Sequence, residues 1–228
     1  MSIRKRNSDH YDERAGGVAP SVIVLHYTEI DDAGRVDDIF MGKEIVDGVG
    51  RVSAHYVIDQ AGAIMQYVDE NKRAWHAGKS YWNGITDLNS HSVGIELVHA
   101  GHKADELSYP DAQIRALIEL CMDIVERYEI KPWNIVGHSD IAPSRKVDPG
   151  EFFPWATLAA AGLGCYPLVR DEQSDGALHE LLISYGYDPE APKEDVIKAF
   201  ASHFAGGNGE LGALSLIASE LVKLKNSN

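Results

Sequence analysis

Positive charge, cysteine and long apolar runs are all scarce in this chain. Lysine and arginine number 21 against 35 acidic residues among 228, a net charge of −14. Such a field repels phosphate backbones, so no nucleic acid is expected as a partner, and it gives no pull toward an anionic surface. The two cysteines, Cys121 and Cys165, are too few for a disulfide framework, and their spacing fits no metal knuckle. Cys121 falls on the apolar side of a predicted helix and reads as a small core residue. No stretch of about 18 or more apolar residues appears, so no transmembrane segment is expected. The N-terminus, Met1-Ser2-Ile3-Arg4-Lys5-Arg6, starts basic like an export signal, but no apolar stretch follows. That predicts a cytoplasmic protein, or a periplasmic or envelope protein whose export signal has been removed.

What is present is a chain of ordinary hydrophobic content, 44%, long enough for one well-cored domain and a small appendage. Residues 1–20 are polar and predict an irregular lead-in. Val22 to Tyr27 is a β-branched apolar run and predicts a buried strand. Val36, Ile39, Phe40 and Ile45 have helical spacing over Val36 to Val46. Val52 to Asp59 and Ala63 to Asp69 flank Gln60-Ala61-Gly62, a hairpin signal. Ala74 to Asn89 has no periodicity and predicts a surface loop; Ser92 to Val98 predicts a strand. Ser108-Tyr109-Pro110-Asp111 predicts a capped helix start with Pro110 in the first turn. Ile114, Leu117, Ile118, Cys121, Val125 and Tyr128 then share a face. Pro132 ends that helix, and strand Ile135-Val136 follows. These elements make an α/β core that closes near Leu158 to Leu163. Beyond a polar segment at Asp171 to Asp175, three helices are predicted: Ala177 to Tyr185, Lys193 to Phe204 and Leu211 to Leu224. They read as a small separate module, or as an extension packed on the main core.

The chemistry concentrates in Gly137-His138-Ser139-Asp140-Ile141-Ala142-Pro143-Ser144-Arg145-Lys146-Val147-Asp148-Pro149-Gly150. His138 ends one strand and His26 ends another, so adjacent strands would put both imidazoles on one rim. Two imidazoles and a carboxylate suffice for a catalytic zinc with one position open to water, which makes a hydrolase the leading idea. From spacing alone, hydrogen-bonded structural histidines fit equally well. Lys146, two residues before Asp148, can bring a cation to the oxyanion formed when water attacks an amide; a solvated loop lysine is the other reading. Glu96 lies inside the apolar run Ser92-Val93-Gly94-Ile95-Glu96-Leu97-Val98, where burial would raise its pKa toward the range useful for proton transfer. A half-exposed strand glutamate is the alternative. His55, Tyr56, Trp75, His76 and Trp82 form a polar-aromatic set suited to a sugar ring or peptide stem, or to ordinary packing. His10, His91, His99, His102, His179 and His203 show no ligand pattern.

Five separated motifs, in order, carry a resemblance: His26-Tyr27-Thr28, Ser53-Ala54-His55-Tyr56, Ala74-Trp75-His76-Ala77-Gly78, Ser92-Val93-Gly94-Ile95-Glu96 and Gly137-His138-Ser139-Asp140-Ile141-Ala142-Pro143. Together they resemble the zinc-dependent N-acetylmuramoyl-L-alanine amidases of the AmpD/AmiD group, within the peptidoglycan-recognition-protein-like superfamily. The ending Arg145 to Gly150 with Phe153-Pro154-Trp155 is most similar to the AmiD side; Ser144 departs from the usual Gly or Gln. The resemblance implies a central mixed β-sheet flanked by helices, with a catalytic domain over 21–165. It implies one Zn2+ per chain on His26, His138 and Asp148, Glu96 as general acid/base and Lys146 as oxyanion stabiliser. Tyr56, Trp75, His76 and Ala77 would bind substrate. It implies hydrolysis of the amide between N-acetylmuramic acid, or its 1,6-anhydro form, and L-alanine of peptidoglycan stem peptides. Muropeptides are then the partners; oligomeric state is left open. Residues 176–228 look like a small helical peptidoglycan-binding domain, although Gly206-Gly207-Asn208-Gly209 departs from its pattern. A non-catalytic muropeptide-recognition module and a phage-type lytic amidase are the alternative readings.

Overall fold

The computed structural model describes residues 2–47, 50–167 and 177–227. Its strands are β1 (Ile3–Lys5), β2 (Tyr11–Glu13), β3 (Val22–Tyr27), β4 (Tyr56–Ile58), β5 (Ile64–Gln66), β6 (Lys72–Ala74), β7 (Ser92–Leu97) and β8 (Ile135–Gly137). Its helices are α1 (Ala33–Phe40), α2 (Leu88–His91), α3 (Asp111–Tyr128), α4 (His138–Ile141), α5 (Trp155–Ala160), α6 (Leu178–Tyr185), α7 (Lys193–Ala205) and α8 (Leu211–Asn226). Six strands form one mixed sheet in the order β1-β5-β4-β7-β3-β8, and β2 pairs with β6 apart from it. This is the α/β architecture expected, a mixed sheet with flanking helices.

Every residue of β3 is buried, as a continuous apolar run covered on both faces requires. Alternation splits its side chains between two cores. Ile23 and Leu25 pack with β7 and α3, while Val22 and Val24 pack with Leu182, Phe200 and Leu221 of the C-terminal helices. Parallel pairing of β3 with both β7 and β8 aligns three C-terminal strand ends.

Several sequence expectations are corrected. The lead-in is not irregular throughout: β1 pairs with β5 and β2 with β6, although β2 is wholly exposed. Backbone pairing makes these strands, and backbone pairing leaves no hydrophobic signature. Helix α1 stops at Phe40; Gly42 takes φ +73°, and Ile45 is 61% exposed. Ser108 does not cap α3, because its hydroxyl donates to Glu106 and Pro110 occupies the cap position. The buried stripe of α3 runs through Ile114, Leu117, Leu120, Cys121 and Ile124, rotated from the predicted one. Both stripes satisfy the same three-and-four spacing, and only the sheet beneath selects between them. The 74–89 segment is not a surface loop, since Ala77, Trp82 and Leu88 are fully buried.

The reason lies in the C-terminal helices. All three form where expected, but they share one apolar core with β3 and the 74–89 segment. Tyr185 and Tyr187 meet the Trp82 ring edge-on at 5.8 and 5.2 Å. The helices are thus packed on the main core rather than set apart from it. The polar segment Asp171 to Asp175 lies outside the described residues. Among those described, no helix is long and apolar enough to cross a membrane.

Candidate metal centre and active site

Open α/β sheets bind ligands beyond the carboxyl ends of their strands. Here register assembles the group: His26 pairs with Glu96 across β3 and β7, and Leu25 pairs with Gly137 across β3 and β8. His138 therefore follows beside His26. Asp148 returns on the loop after α4, where the Ser139 N–H donates to the Asp148 carbonyl at 2.9 Å. The return is close enough that a Cβ at Gly137 would lie 2.7 Å from Pro149 Cδ.

Three donor atoms then face one another. His26 Nδ1 is 2.9 Å from His138 Nδ1, and each lies 3.1 Å from Asp148 Oδ2. The surrounding hydrogen bonds fix where the ring protons are. Ser92 Oγ donates to the Leu88 carbonyl, so it accepts from His76 Nε2–H at 3.2 Å. His76 Nδ1 is then bare and accepts from His26 Nε2–H at 3.0 Å. His138 Nε2–H donates to the Ala77 carbonyl at 3.3 Å. In the neutral form of each ring, Nδ1 is left unprotonated and aimed at a carboxylate. Three lone-pair donors without a proton among them repel unless a cation sits between them, and two imidazoles with one carboxylate suit a divalent ion. A tetrahedral zinc site, with bonds of about 2.0–2.1 Å, sets its ligand atoms about 3.3 Å apart, near the edges of this triangle.

Burial, with the His138 charge alongside, holds His26 down to about 4, so it is neutral at neutral pH. Burial opposes ionisation of Asp148, but in the metal-free protein the His138 charge and N–H donation from both rings outweigh it and hold the carboxyl well below the usual range; a bound cation takes that place once the protons leave. Glu96 is the opposite case: burial first, then the Asp148 charge, push it up to about 8, while Lys146 pulls it down. Its Oε2 is buried with no hydrogen-bond partner among the described residues. His26, His138, Asp148, Glu96 and Lys146 all line one cavity of about 480 Å³, with Trp75 and His76 on its wall.

Two predicted substrate residues do not line that cavity. Tyr56 points to the opposite side of the sheet, into the core under α3, and its hydroxyl donates to Glu70 Oε1 at 2.8 Å. Alternation along β4 decides this, and its phase is invisible without the pairing partner. Ala77 buries its methyl among apolar side chains; only its carbonyl serves the site, accepting from His138 and from Arg145 at 3.0 Å. His55, expected beside Tyr56 and His76, supports the site from beneath and does not line the cavity. Gly94 leaves room for His76, whose ring a Cβ there would meet at 2.5 Å. His55 accepts from the Gly94 N–H at 2.9 Å and packs edge-on to His76 at 5.7 Å. Arg14, buried beneath, donates to the Glu70, Ser90 and Ser92 carbonyls. A polar lead-in gives no sign that one of its arginines is interior.

The sequence profile of the N-acetylmuramoyl-L-alanine amidases matches residues 16–151. The chain belongs to this amidase family. The amidase is 40% identical to N-acetylmuramoyl-L-alanine amidase AmiD of Escherichia coli (strain K12), over 88% of its own length and 81% of that protein. It is also 40% identical to the 1,6-anhydro-N-acetylmuramyl-L-alanine amidase AmpD of Haemophilus influenzae, over 67% of its length and 88% of that protein. Among solved structures, E. coli AmiD in complex with the substrate anhydro-N-acetylmuramic acid-L-Ala-D-gamma-Glu-L-Lys matches with TM-score 0.76 and 34% identity. That match covers 97% of this chain and 100% of the other.

Proposed function

We propose that this amidase is a zinc enzyme hydrolysing the amide between the lactyl carbonyl of N-acetylmuramic acid, or its 1,6-anhydro form, and the L-alanine of a peptidoglycan stem peptide, in wall turnover or recycling. One observation carries the reading: two imidazole Nδ1 atoms and a carboxylate oxygen converge within about 3 Å beside a half-buried glutamate held up to about 8. The AmiD complex with an anhydromuramyl peptide and the naming of the AmpD relatives for the 1,6-anhydro sugar support muropeptides as the substrate class.

His26, His138 and Asp148 would hold the ion. A bound zinc supplies Lewis acidity, polarising an amide carbonyl and lowering the pKa of water at its open position. Glu96 accepts the proton of the attacking water and returns it to the leaving amine, a two-way task that a carboxyl near neutrality suits. Lys146 stabilises the oxyanion as the carbonyl carbon becomes tetrahedral. Trp75 offers an aromatic face to the sugar or stem, and His76 orients His26 through their shared hydrogen bond.

Release of free stem peptide from a muropeptide, followed by mass spectrometry with metal content measured on the same sample, tests this. We expect activity to vanish on chelation and return with zinc. Glu96→Gln should keep its metal and lose about 10²–10⁴-fold in turnover. Hydrolysis at the parent rate by either the chelated protein or Glu96→Gln overturns the reading.

A further inference from the structure

Behind His138 lies a contact that joins the metal site to the C-terminal helices. Asp140, in the middle of α4, is fully buried. Its Oδ2 accepts from the Gly137 N–H at 2.7 Å and from His203 Nδ1–H, on α7, also at 2.7 Å. Its Oδ1 accepts from the Tyr187 hydroxyl at 2.6 Å. A buried carboxyl group needs such donors to replace the water it has lost, and here two of the three come from beyond residue 177.

The donors are themselves fixed. The His203 ring is stacked on Trp155, with centroids 3.6 Å apart and planes at 16°. The Tyr187 side chain is fully buried, and burial beside Asp140 holds its hydroxyl protonated far above neutrality. Their common target is the turn that begins with a ligand. Asp140 grips the Gly137 N–H immediately before His138, and the Ser139 N–H immediately after it donates to the Asp148 carbonyl. The direction of His138 Nδ1 toward Asp148 is set by this short stretch of backbone.

We propose that His203 and Tyr187 are positioning residues for the metal ligand His138, acting through Asp140, so that the C-terminal helices form part of the metal site's supporting layer. The proposal rests on the metal reading above. Partners behind a ligand typically govern metal affinity by about 10- to 100-fold.

The experiment uses the full chain and three variants: His203→Leu, His203→Asn and Tyr187→Phe. Zinc affinity is measured by competition with a chromophoric chelator, the visible spectrum of the cobalt-substituted protein reports ligand geometry, and kcat and KM are taken separately. We expect His203→Leu to bind zinc about 10- to 100-fold more weakly, with an altered cobalt spectrum and KM near that of the parent. His203→Asn, which returns an N–H donor near the position of Nδ1, should recover most of the affinity. Tyr187→Phe, which removes one hydroxyl without changing shape, should shift affinity in the same direction and tests the idea even if His203→Leu fails to fold. Parent-like zinc affinity in both His203→Leu and Tyr187→Phe overturns the proposal, as does a His203→Asn variant as weak as His203→Leu. A parent chain that takes up no divalent ion overturns the metal reading, and this proposal with it.

Discussion

Glu96 and its neighbours pull the stability of the metal-free protein in opposite directions with pH. Burial and the Asp148 charge raise Glu96 from 4.5 to about 8. Through that window the folded state keeps a proton that the unfolded chain has released, so this residue makes stability fall as pH rises. His26, held down from 6.5 to about 4, acts the other way, because between those values the unfolded chain binds the extra proton. Asp148, with its carboxyl depressed, likewise contributes stability that is present above its unfolded pKa and lost as pH falls. Glu96→Gln deletes the first effect and leaves the other two. In chelator, the variant should melt several degrees above the parent near pH 8, and the gap should close toward about pH 4. Thermal melts across that range check this; a gap independent of pH contradicts the assigned titration. At the same scale, Lys146→Ala should lower turnover by about 10²–10³-fold while zinc stays bound, since removing one oxyanion donor has that order of effect. Titrating muropeptide hydrolysis against metal content separates lost chemistry from lost ion. These residues were legible as types in a pattern: a carboxylate inside an apolar strand, histidines ending two others, a lysine near an aspartate. Their tautomers were not legible, because those depend on Ser92, Leu88 and Ala77, which hydrogen bonding alone brings to the site.

Elements explain which parts of the fold sequence could announce. Strands β3 and β7 are continuous apolar runs and stand out at once. Their adjacency, with His26 opposite Glu96 although 70 positions apart in the chain, follows from the whole sheet and from no local signal. Short elements such as β1 and β2 escape notice because pairing, not burial of their own side chains, defines them. Gly94 in β7 shows how a silent residue can matter. It read as one more strand position, yet it vacates the space that the His76 ring occupies. Gly94→Ala places a Cβ 2.5 Å from that ring. Either β7 or His76 must shift, at a cost of roughly 1–3 kcal/mol for overpacking. Displacing His76 also removes the acceptor that fixes the His26 tautomer. Gly94→Ala should therefore lower the urea midpoint and weaken zinc binding together. A variant that loses stability while keeping parent zinc affinity would show that His76 does not orient the ligand.

At the scale of the whole molecule, the question is whether residues 177–227 unfold with the amidase domain or apart from it. A change of composition and a polar segment suggested a separable module, and helix periodicity located its members well. Periodicity shows only that a face is buried, not against what. That face meets Val22, Val24, Trp82 and Leu88 of the main body, so the helices have no core of their own apart from it, and on the main body's side Val22 and Val24 of the sheet pack against them. Hydrogen bonds add to the seam: the Asn83 N–H donates to the Gly186 carbonyl at 2.9 Å, and Lys225 Nζ donates to Asn83 Oδ1. Trp82 is the largest of the fully buried side chains in this shared region. Its replacement by alanine should cost about 3–5 kcal/mol, as for other large-to-small changes in a core. Because the core is shared, the loss should lower the denaturation midpoint of both parts at once. Hydrogen exchange in β7 and α3, which pack in the separate core under α3, reports the amidase domain, while hydrogen exchange in α6, α7 and α8 reports the helices. In denaturant the two probes should give coincident transitions for the parent, and coincident transitions at a lower midpoint for Trp82→Ala. Zinc should move both upward by the same amount, since an ion bound only to the folded state stabilises every element that unfolds with its site. Helices that lose protection while β7 and α3 stay protected, in zinc as well as in chelator, would establish two independent units and dissolve the seam argued here.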